Sequence, residues 1–330
     1  MLKDKVILVT GGTGSFGKAY ISNLILSKVK FKKIIIFSRD ELKQYEMSNQ
    51  KIFKDSRVRM ILGDIRELSS LQRAFSDVDY VVHAAALKQV PAAEYNPFEF
   101  IRTNILGSQN IIEAALNSNI KKVIALSTDK ASSPINLYGA TKLCSEKLFI
   151  SANNIKGTKK ISFSVVRYGN VMGSRGSVIP FFLKQYKRKE KLSLTHESMT
   201  RFNISLKAAI RLVTYSFANC NDGEILIPKI PSFKILDLIS AITSKNDYKI
   251  TGIRPGEKIH EELINSYEAK NALELKDYYV ILPTNDIKKI NKYCKKYSAK
   301  KVGESFCYTS ENNKDYLNVK NLKQLIKKNF

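Results

Sequence analysis

A glycine-rich segment near the amino terminus constrains the fold of this chain more than any other feature. The segment at residues 10–17, Thr-Gly-Gly-Thr-Gly-Ser-Phe-Gly, directly follows an apolar run at residues 5–10 that is typical of a buried strand. A helical pattern then continues to about residue 27. Glycines between a strand and a helix allow a tight turn and let a pyrophosphate approach the helix N-terminus. The pattern therefore predicts a dinucleotide-binding strand–turn–helix unit.

Strand and helix patterns alternate along the first half of the chain. Further strands are predicted by the apolar runs at residues 33–37, 58–62, 79–83, 123–126 and 161–167. A single helix, from about residue 98 to 117, is predicted between the strands at 79–83 and 123–126. This alternation is the signature of a doubly wound parallel Rossmann sheet in the α/β class.

The alternation fades beyond Asn170, which predicts a second, smaller domain. Helical patterns at 178–188 and up to 217, a strand at 224–228 and a closing helix near 318–328 complete the chain. We predict an NADP-binding Rossmann domain formed by residues 1–170 and about 202–230. Residues of about 171–201 and 231–330 are predicted to form a C-terminal substrate-binding domain.

The composition argues against several classes of protein. The chain has 330 residues, of which 44% are hydrophobic and 26% charged, which is ordinary for a globular enzyme. No apolar run approaches the roughly 18–20 residues that span a bilayer, and the first strand begins too near Met1 for a signal peptide. We therefore expect a cytoplasmic protein without a membrane partner.

The charge and the cysteines add two further expectations. The net charge is +25, but the lysines are spread along the chain and no nucleic-acid-binding motif is present, so we expect no nucleic-acid partner. The four cysteines are scattered, with no histidine at metal-ligand spacing. This pattern predicts reduced thiols and no metal site.

Residues at the ends of the predicted strands are candidates for the cofactor site. Asp40 lies about twenty residues beyond the glycine loop, where an acidic residue usually marks NAD. Arg39, with Ser38 and Lys43 nearby, instead fits a 2′-phosphate, so we favour NADP over NAD; solvated side chains are the alternative interpretation of Arg39 and Lys43. The other predicted cofactor-binding residues are Gly11, Thr13, Gly14, Ser15, Phe16, Gly17, Asp64, Ile65, Ala84, Ala85, Lys88, Asn104, Tyr138 and Lys142.

A Tyr-x-x-x-Lys motif follows the predicted strand at 123–126. Tyr138 and Lys142 are four residues apart, so they project from one face of a helix. An ammonium group beside a phenol lowers the tyrosine pKa from its usual value near 10 and makes it usable as a base. The same spacing recurs twice in the C-terminal part of the chain, but only Tyr138 follows a strand end in the nucleotide-binding half.

Together these motifs resemble the extended short-chain dehydrogenase/reductase family over nearly the whole chain. The resemblance is carried by the glycine loop, the Tyr138–Lys142 pair, Asn104 and the Arg-Pro-Gly turn at 254–256. Common 4,6-dehydratases of this family carry Thr-Asp-Glu at the end of the fifth strand, whereas residues 128–130 here are Thr-Asp-Lys. With the segments 38–44, 85–91 and 134–142, this makes the chain similar to the inverting UDP-N-acetylglucosamine 4,6-dehydratases.

More narrowly, the chain resembles the branch that opens pseudaminic acid synthesis for flagellin glycosylation. A related capsular branch has methionine at the position of Tyr138, so Tyr138 argues against that branch. Large membrane-anchored relatives have transmembrane helices before this domain, and we expect none in this chain. The resemblance implies a hydro-lyase that forms UDP-2-acetamido-2,6-dideoxy-β-L-arabino-hex-4-ulose. It also implies a homo-oligomer, either a hexamer or a dimer.

The resemblance implies a role for each residue of the central stretch. Tyr138, with its pKa lowered by Lys142 and by the positive cofactor ring, takes the C4 hydroxyl proton as hydride leaves C4, and Thr128 hydrogen-bonds that hydroxyl. Lys130 is the candidate base at C5, provided that desolvation or a neighbouring cation keeps it neutral. Asp129, with a raised pKa, protonates the departing C6 hydroxyl. Hydride returns to C6, and C5 is reprotonated on the opposite face.

Lys88 lies just past the alanines that follow the predicted strand at 79–83, where the loop should cross the cleft, and is a candidate for contact with substrate phosphate or nicotinamide. The resemblance implies further neighbours of a UDP-sugar: Asn170, Val178, Thr195, Arg201, Arg254 and Glu257. Three alternatives stay open: a UDP-sugar 4-epimerase, a retaining 4,6-dehydratase, and a non-enzymatic NADP-binding regulator of the same fold. An epimerase needs Tyr138 and Lys142 but neither a C5 base nor a C6 acid, and Asp129–Lys130 is then a simple ion pair.

Overall fold

The apolar runs of the sequence form the strands of one ten-stranded sheet. The fold is described from a computed structural model, which covers residues 2–27, 29–174, 176–243 and 247–329. The strands of this sheet are β1 (Val6–Thr10), β2 (Lys33–Ser38), β3 (Val58–Leu62), β4 (Tyr80–His83), β5 (Lys122–Thr128), β6 (Ser162–Tyr168), β10 (Ile225–Pro228), β14 (Ala272–Glu274), β15 (Tyr278–Ile281) and β16 (Lys300–Lys301). The smaller sheets contain β7 (Asn170–Val171), β8 (Leu192–Leu194), β9 (Thr200–Ile204), β11 (Ser232–Lys234), β12 (Tyr248–Ile250), β13 (Glu262–Ile264) and β17 (Tyr308–Thr309).

Helices cover both faces of the sheet and connect its strands. They are α1 (Ser15–Leu26), α2 (Glu41–Ser48), α3 (Leu68–Ala74), α4 (Val90–Tyr95), α5 (Pro97–Phe100), α6 (Gly107–Leu116), α7 (Leu137–Ile155), α8 (Val178–Lys187), α9 (Leu206–Asn219), α10 (Ile235–Ile242), α11 (Ser266–Ala269), α12 (Ile287–Tyr297) and α13 (Val319–Asn329). Short 3₁₀ turns lie at Lys51–Lys54 and Asp129–Ala131. None of the helices in the described part of the chain is long and apolar enough to cross a membrane.

The strand order confirms the predicted doubly wound sheet. From one edge the order is β3-β2-β1-β4-β5-β6-β10, with every neighbouring pair parallel. The order reverses between β1 and β4, and ligands bind at such a switch point beyond the carboxyl ends of the strands. The strands β15, β14 and β16 extend the sheet in antiparallel fashion.

The predicted single helix at 98–117 is wrong in one respect. The segment consists of α5, a π-helical stretch at Ile101–Leu106, and α6. Asn104 lies in the π-helical stretch, where its side chain donates to and accepts from the backbone of Leu87, with both hydrogen bonds at 2.9 Å. A local widening of this kind re-aims a side chain, which hydropathy alone does not reveal.

The described residues form two large apolar clusters and a small third one around Ala93, Phe100 and Tyr138. Of the two large clusters, the larger one holds the main sheet and its flanking helices. The smaller one packs α8, α10 and α13 together, with Phe182, Leu238 and Leu322 at its centre. The division into two domains stays a prediction, and strands β14, β15 and β16 lie in the main sheet rather than with the smaller cluster.

Candidate active site

A cleft of about 1100 Å³ opens at the carboxyl ends of the parallel strands. It is lined by most of the residues predicted from the sequence: Gly11, Thr13, Gly14, Ser15, Phe16, Gly17, Ser38, Arg39, Asp40, Lys43, Asp64, Ile65, Ala84, Ala85, Lys88, Thr128, Lys130, Tyr138, Lys142, Asn170, Val178, Arg201, Arg254 and Glu257. One cleft therefore brings together the predicted cofactor, catalytic and substrate residues.

The glycine loop fits the backbone of a dinucleotide because no side chain fills it. Gly11 has a φ of +63°, and a Cβ atom there would lie 2.8 Å from the Cα of Ala85. A Cβ atom on Gly17 would lie 2.5 Å from the Cα of Gly12, so α1 packs directly on the loop. The loop therefore presents its own backbone to the cleft at the start of α1, where a pyrophosphate is favoured.

The end of β2 gathers the residues predicted to contact the adenosine ribose. The hydroxyl groups of Ser38 and Thr13 are hydrogen-bonded at 2.9 Å. Asp40 caps α2 by accepting a 3.0 Å hydrogen bond from the backbone N–H of Lys43, and the two side chains also form an ion pair. Asp40 thus supports the helix and holds Lys43, which leaves the half-exposed Arg39 at the mouth of the cleft.

Asp64, predicted to contact the adenine edge, lies at the end of β3 in an ion-pair cluster. Its carboxylate is 2.6 Å from Arg66 Nη2 and 3.6 Å from Arg39 Nη1. Burial raises the pKa of this carboxyl, but the hydrogen bonds and charge of Arg66 outweigh burial and lower it. Asp64 is therefore an anionic acceptor at neutral pH.

The first turn of α7 places Tyr138 against the residues that end β5. The helix begins after Asn136, whose side-chain oxygen accepts a 2.7 Å hydrogen bond from the N–H of Gly139. A Cβ atom on Gly139 would lie 2.2 Å from the carbonyl oxygen of Lys130. Only glycine therefore allows α7 to pack this closely on the turn that carries Lys130.

The predicted lowering of the Tyr138 pKa by Lys142 is not found in this structure, whereas the part assigned to the cofactor ring stays a prediction. Burial raises the pKa of Tyr138 to about 12, although the charge of Lys130 and a hydrogen bond with Thr128 lower it. Lys142 is buried as well, and burial lowers its pKa to about 8, only partly opposed by Glu146. With a pKa of about 8, Lys142 is still mostly protonated at pH 7, but the cation that lowers the pKa of Tyr138 in this structure is Lys130.

Lys130 lies between two carboxylates. Its Nζ is 3.1 Å from Asp129 Oδ1 and 2.9 Å from Glu261 Oε1. Burial lowers the pKa of Lys130, but these carboxylates raise it more, so the net shift is upward. The condition that burial or a nearby cation keeps Lys130 neutral is therefore not met in this structure, because the carboxylates beside it raise its pKa.

Asp129 is fully buried and is not among the described residues that line the cleft. Its Oδ1 accepts hydrogen bonds from Thr128 Oγ1 at 2.9 Å and from Lys130 Nζ at 3.1 Å. Its Oδ2 has no hydrogen-bond partner among the residues that the structure describes. Burial raises the pKa of Asp129, against the charge of Lys130. The direction is the one expected of an acid that must carry a proton.

Comparison with known proteins identifies the family of this fold and cleft. A sequence profile of the family described as "Polysaccharide biosynthesis protein" matches residues 7–283. The chain belongs to this family.

Two relatives and one solved structure are similar to almost the full length of this chain. A Campylobacter jejuni subsp. jejuni protein named "UDP-N-acetylglucosamine 4,6-dehydratase (inverting)" is 50% identical over 99% of this chain and 98% of its own. A Rickettsia massiliae protein named "UDP-glucose 4-epimerase" is 43% identical over 99% of this chain and 96% of its own. The X-ray structure of Pen from Bacillus thuringiensis is similar with a TM-score of 0.88 and 38% identity, covering 99% of this chain and 98% of that one.

Arg201 is the most buried of the predicted substrate residues. Its Nη1 donates to the carbonyl oxygens of Thr200 and Ile259 at 2.7 and 2.9 Å. Its Nη2 is 3.5 Å from Glu257, and its Nε is 3.7 Å from Glu261. The guanidinium group is therefore fixed at the wall of the cleft by the segment that follows the Arg-Pro-Gly turn.

Besides Asp129, two predicted site residues are not among the described residues that line the cleft. Asn104 is buried behind it and also donates to Thr141 Oγ1 at 3.0 Å, so it supports the loop at Leu87 rather than lining the site. Thr195 is buried beside Met199, with Oγ1 3.3 Å from the sulfur. Thr195 follows β8, which packs into the smaller apolar cluster, and this packing turns it away from the site.

Glu261 and Asn136 belong to the site but were not predicted as site residues from the sequence. Glu261 contacts Lys130 from a segment far along the chain, and no motif links the two. Asn136 donates a 2.7 Å hydrogen bond to the carbonyl oxygen of Gly256 and so connects α7 to the Arg-Pro-Gly turn. A helix-cap pattern identifies Asn136 as a local feature, but its long-range contact follows only from the fold.

His83 ends β4 behind the cleft and serves in packing. Its Nδ1 is 2.9 Å from Thr10 Oγ1, and its Nε2 is 3.5 Å from Ser108 Oγ. Burial, and to a smaller extent the charge of Lys142, lower the pKa of His83 to about 3. The imidazole is therefore neutral in the folded protein near neutral pH.

The described residues offer no cluster of three or more His, Cys, Asp or Glu side chains arranged for a metal ion. The four cysteines, Cys144, Cys220, Cys294 and Cys307, are free thiols.

Proposed function

We propose that this protein is an inverting UDP-N-acetylglucosamine 4,6-dehydratase, a hydro-lyase that forms UDP-2-acetamido-2,6-dideoxy-β-L-arabino-hex-4-ulose and water. The observation that carries the proposal is the pair at the end of β5. A buried acid, Asp129, and a lysine that faces the cleft, Lys130, stand beside Tyr138. The name and high identity of the Campylobacter jejuni relative support the same reaction.

The proposed cofactor is NADP, with NAD less favoured. The glycine loop, Ala84 and Ala85 would hold its diphosphate, and Ser38, Arg39 and Lys43 would surround a 2′-phosphate. When bound, the nicotinamide supplies the chemistry of accepting a hydride from C4 of the sugar and returning it to C6. Because hydride leaves and returns within one cycle, there is no net redox change.

Tyr138 and Thr128 act on the C4 hydroxyl in this proposal. The Tyr138 phenolate takes the hydroxyl proton, and Thr128, which lines the cleft next to it, orients the hydroxyl. Burial raises the pKa of Tyr138 to about 12, which makes its phenol a poor base on its own. We infer that the positive nicotinamide ring lowers this pKa when the cofactor binds, because a nearby positive charge favours the phenolate.

Lys130 and Asp129 complete the dehydration. Oxidation at C4 acidifies the C5 proton because the carbanion formed is an enolate, and Lys130 removes that proton. Asp129 gives its proton to the C6 hydroxyl, so that the C–O bond breaks and water departs. Burial raises the pKa of Asp129, which favours the protonated carboxyl that this step requires.

The UDP group is proposed to lie along the side of the cleft formed by the second half of the chain. Arg201 and Arg254 supply positive charge for the diphosphate, with Asn170, Val178 and Glu257 near the remaining parts of the ligand. Lys88, on the loop after β4, also lines the cleft, where burial and, to a smaller extent, the charge of Lys130 lower its pKa.

The test is incubation with NADP and UDP-N-acetylglucosamine in heavy water. Deuterium at C5 and a new 6-methyl resonance in the NMR spectrum are expected, and Lys130→Ala is expected to abolish both while NADP still binds. Normal dehydration by Lys130→Ala would refute the assigned base. Absence of turnover with any UDP-sugar would favour a non-enzymatic NADP-binding regulator.

A UDP-sugar 4-epimerase is the second candidate, favoured by the name of the Rickettsia massiliae relative. Epimerisation requires Tyr138 and Lys142 but leaves the C5 hydrogen and the C6 hydroxyl in place. A clean C4 epimer without deuterium at C5 would therefore establish this candidate instead. Retention rather than inversion at C5 would identify a retaining dehydratase.

We further infer a cytoplasmic homo-oligomer, a dimer or hexamer, that supplies pseudaminic acid synthesis for flagellin glycosylation. These inferences rest on the resemblance of the motifs to that branch of the family. Light scattering coupled to size-exclusion chromatography checks the assembly, and a monomer at working concentration contradicts it.

A further inference from the structure

Glu261 is a buried carboxylate that bridges the two fixed cations of the site. It is 2% exposed, and its Oε1 lies 2.9 Å from Lys130 Nζ and 3.7 Å from Arg201 Nε. Its Oε2 is buried and has no hydrogen-bond partner in the described part of the chain. Glu261 therefore contacts both cations through Oε1, the oxygen that faces Lys130 and Arg201.

The charge of Lys130 determines what Glu261 can contribute to the reaction. A lysine removes a proton from carbon only as a neutral amine, yet the carboxylate of Glu261, 2.9 Å from Lys130 Nζ, favours the ammonium form. One proton must therefore leave Lys130 before it acts. The two groups in hydrogen-bond reach of its Nζ are Asp129 at 3.1 Å and Glu261 at 2.9 Å.

Asp129 is poorly suited to take that proton. In the proposed reaction it must already be protonated to release the C6 hydroxyl, and the oxygen that faces Lys130 also accepts from Thr128. Glu261 has the opposite tendency: burial raises its pKa, but the charges of Lys130 and Arg201 outweigh burial and lower it. The proposed reaction thus starts from a protonated Asp129, an ammonium group at Lys130 and a carboxylate at Glu261.

We propose that Glu261 is the positioning residue of the C5 base, which holds Lys130 in place and takes its proton when the sugar enters the cleft. This rests on the proposed dehydratase function. The N–H bond of Lys130 breaks and an O–H bond forms at Glu261, which leaves a neutral amine and a neutral carboxyl group. The amine then takes the proton from C5, and its new N–H bond restores the ammonium as the enolate forms.

The proton transfer from Lys130 to Glu261 is favourable only when the substrate covers the site. A neutral amine and a neutral acid are less stable than an ion pair in water, but burial removes much of that difference because it disfavours charge. A substrate that covers the half-buried Lys130 completes its desolvation. The carboxylate of Glu261 is already buried, so the proton needs to travel only the 2.9 Å between Nζ and Oε1.

Glu261→Gln tests the proposal, because glutamine keeps the shape and an acceptor oxygen but cannot take a proton. We expect dehydration and deuterium incorporation at C5 to fall about 100-fold or more, the scale of a lost acid–base contribution. C4 oxidation, followed by transient absorbance of the reduced nicotinamide, and the KM for UDP-N-acetylglucosamine are expected to change less than about threefold.

Two further variants make the result specific. Glu261→Asp retains a carboxylate and is expected to recover part of the C5 exchange. Glu262→Gln changes the neighbouring carboxylate, which contacts Ser132 rather than Lys130, and is expected to behave like the wild type. Thermal unfolding of each variant reports its folding, and if Glu261→Gln does not fold, the Glu261→Asp result decides.

The outcomes separate this inference from the function on which it rests. Wild-type dehydration with unimpaired C5 exchange in Glu261→Gln overturns the role of Glu261 alone. An equal loss of C4 oxidation and C5 exchange in both Glu261 variants also overturns it, since that result marks a purely structural residue. Failure of the wild-type protein to dehydrate the sugar overturns the proposed function, and the role of Glu261 with it.

Discussion

The side-chain amide of Asn136 donates a 2.7 Å hydrogen bond to the carbonyl oxygen of Gly256. The same side chain caps α7 through the N–H of Gly139. Gly256 has a φ of +72°, and a Cβ atom there would lie 2.8 Å from the Cβ of Asn136. One residue therefore joins the helix that carries Tyr138 to the turn that carries Arg254.

Replacing Asn136 should separate these two functions. Asn136→Ser keeps a helix cap but loses the amide donor, so we expect little change in stability and a several-fold higher KM for the UDP-sugar as the Arg254 turn loosens. Asn136→Ala loses both, and its free energy of unfolding should fall by about 1 kcal/mol more. Urea unfolding and steady-state kinetics measure the two effects. A wild-type KM in Asn136→Ser would show that the turn is held by other contacts.

Removing the buried ammonium of Lys142 should stabilise the protein. Its pKa is about 8 when folded and 10.5 when unfolded, so below pH 8 the fold must bury a charge that the unfolded chain carries in water. At about 1.4 kcal/mol per pKa unit, Lys142→Met should be more stable at pH 7 by on the order of 1–3 kcal/mol, and inactive.

The pH dependence provides the check on Lys142. Between pH 8 and 10.5 the unfolded chain binds the Lys142 proton and the folded chain does not, so this residue makes wild-type stability rise with pH. The rise attributable to Lys142 should vanish in Lys142→Met. Lys147→Met, at an exposed position of the same helix, serves as the control and should stay within about 0.5 kcal/mol of wild type. A less stable Lys142→Met at pH 7 would contradict the prediction.

Arg39 should decide between the two nicotinamide dinucleotides. A charge-assisted hydrogen bond to a 2′-phosphate contributes about 1.5–3 kcal/mol, so Arg39→Ala should weaken NADP binding about 10- to 100-fold and leave NAD binding unchanged. Titration calorimetry with both dinucleotides measures this. Arg57→Ala removes an arginine paired with Asp55 outside the cleft and should change neither affinity. Tighter binding of NAD than of NADP by the wild type would reverse the preference.

His83 should make the protein sensitive to acid. Its pKa is about 3 when folded and 6.5 when unfolded, so between these values the unfolded chain binds a proton that the folded chain excludes. The contribution of His83 to stability is complete above pH 6.5 and falls by about 1.4 kcal/mol per unit as the pH drops towards 3.

The matched variants for this prediction are His83→Gln and His196→Gln. Unfolding free energies at pH 4.5 and 6.5 should differ less in His83→Gln than in the wild type. His196 lies in a turn after β8, where its Nδ1 accepts from the N–H of Ser198, and its variant should keep the wild-type difference. An unchanged difference in His83→Gln would show that other groups govern acid stability.

Much of the site was predictable because its signals are local. The glycine loop, the residues that end β2, β3 and β4, and the Tyr138–Lys142 pair each depend on a strand followed by a turn, which hydropathy and glycine positions reveal. Strand ends in a parallel sheet meet at one edge, so these segments had to lie together once the sheet formed. Asn104 and Thr195 escaped this reasoning because a π-helical stretch and the smaller apolar cluster orient them.

Periodicity and spacing are properties of short segments, and they were enough to predict the doubly wound sheet, the glycine loop and the chemical groups at the end of β5. The pKa values of those groups, in contrast, depend on contacts that form when the chain folds. Glu261 reaches Lys130 from a distant segment, and burial raises the pKa of Tyr138 and lowers that of Lys142. Charge in a protein interior depends on desolvation and on neighbours brought together by folding, and neither is written in the spacing of a motif.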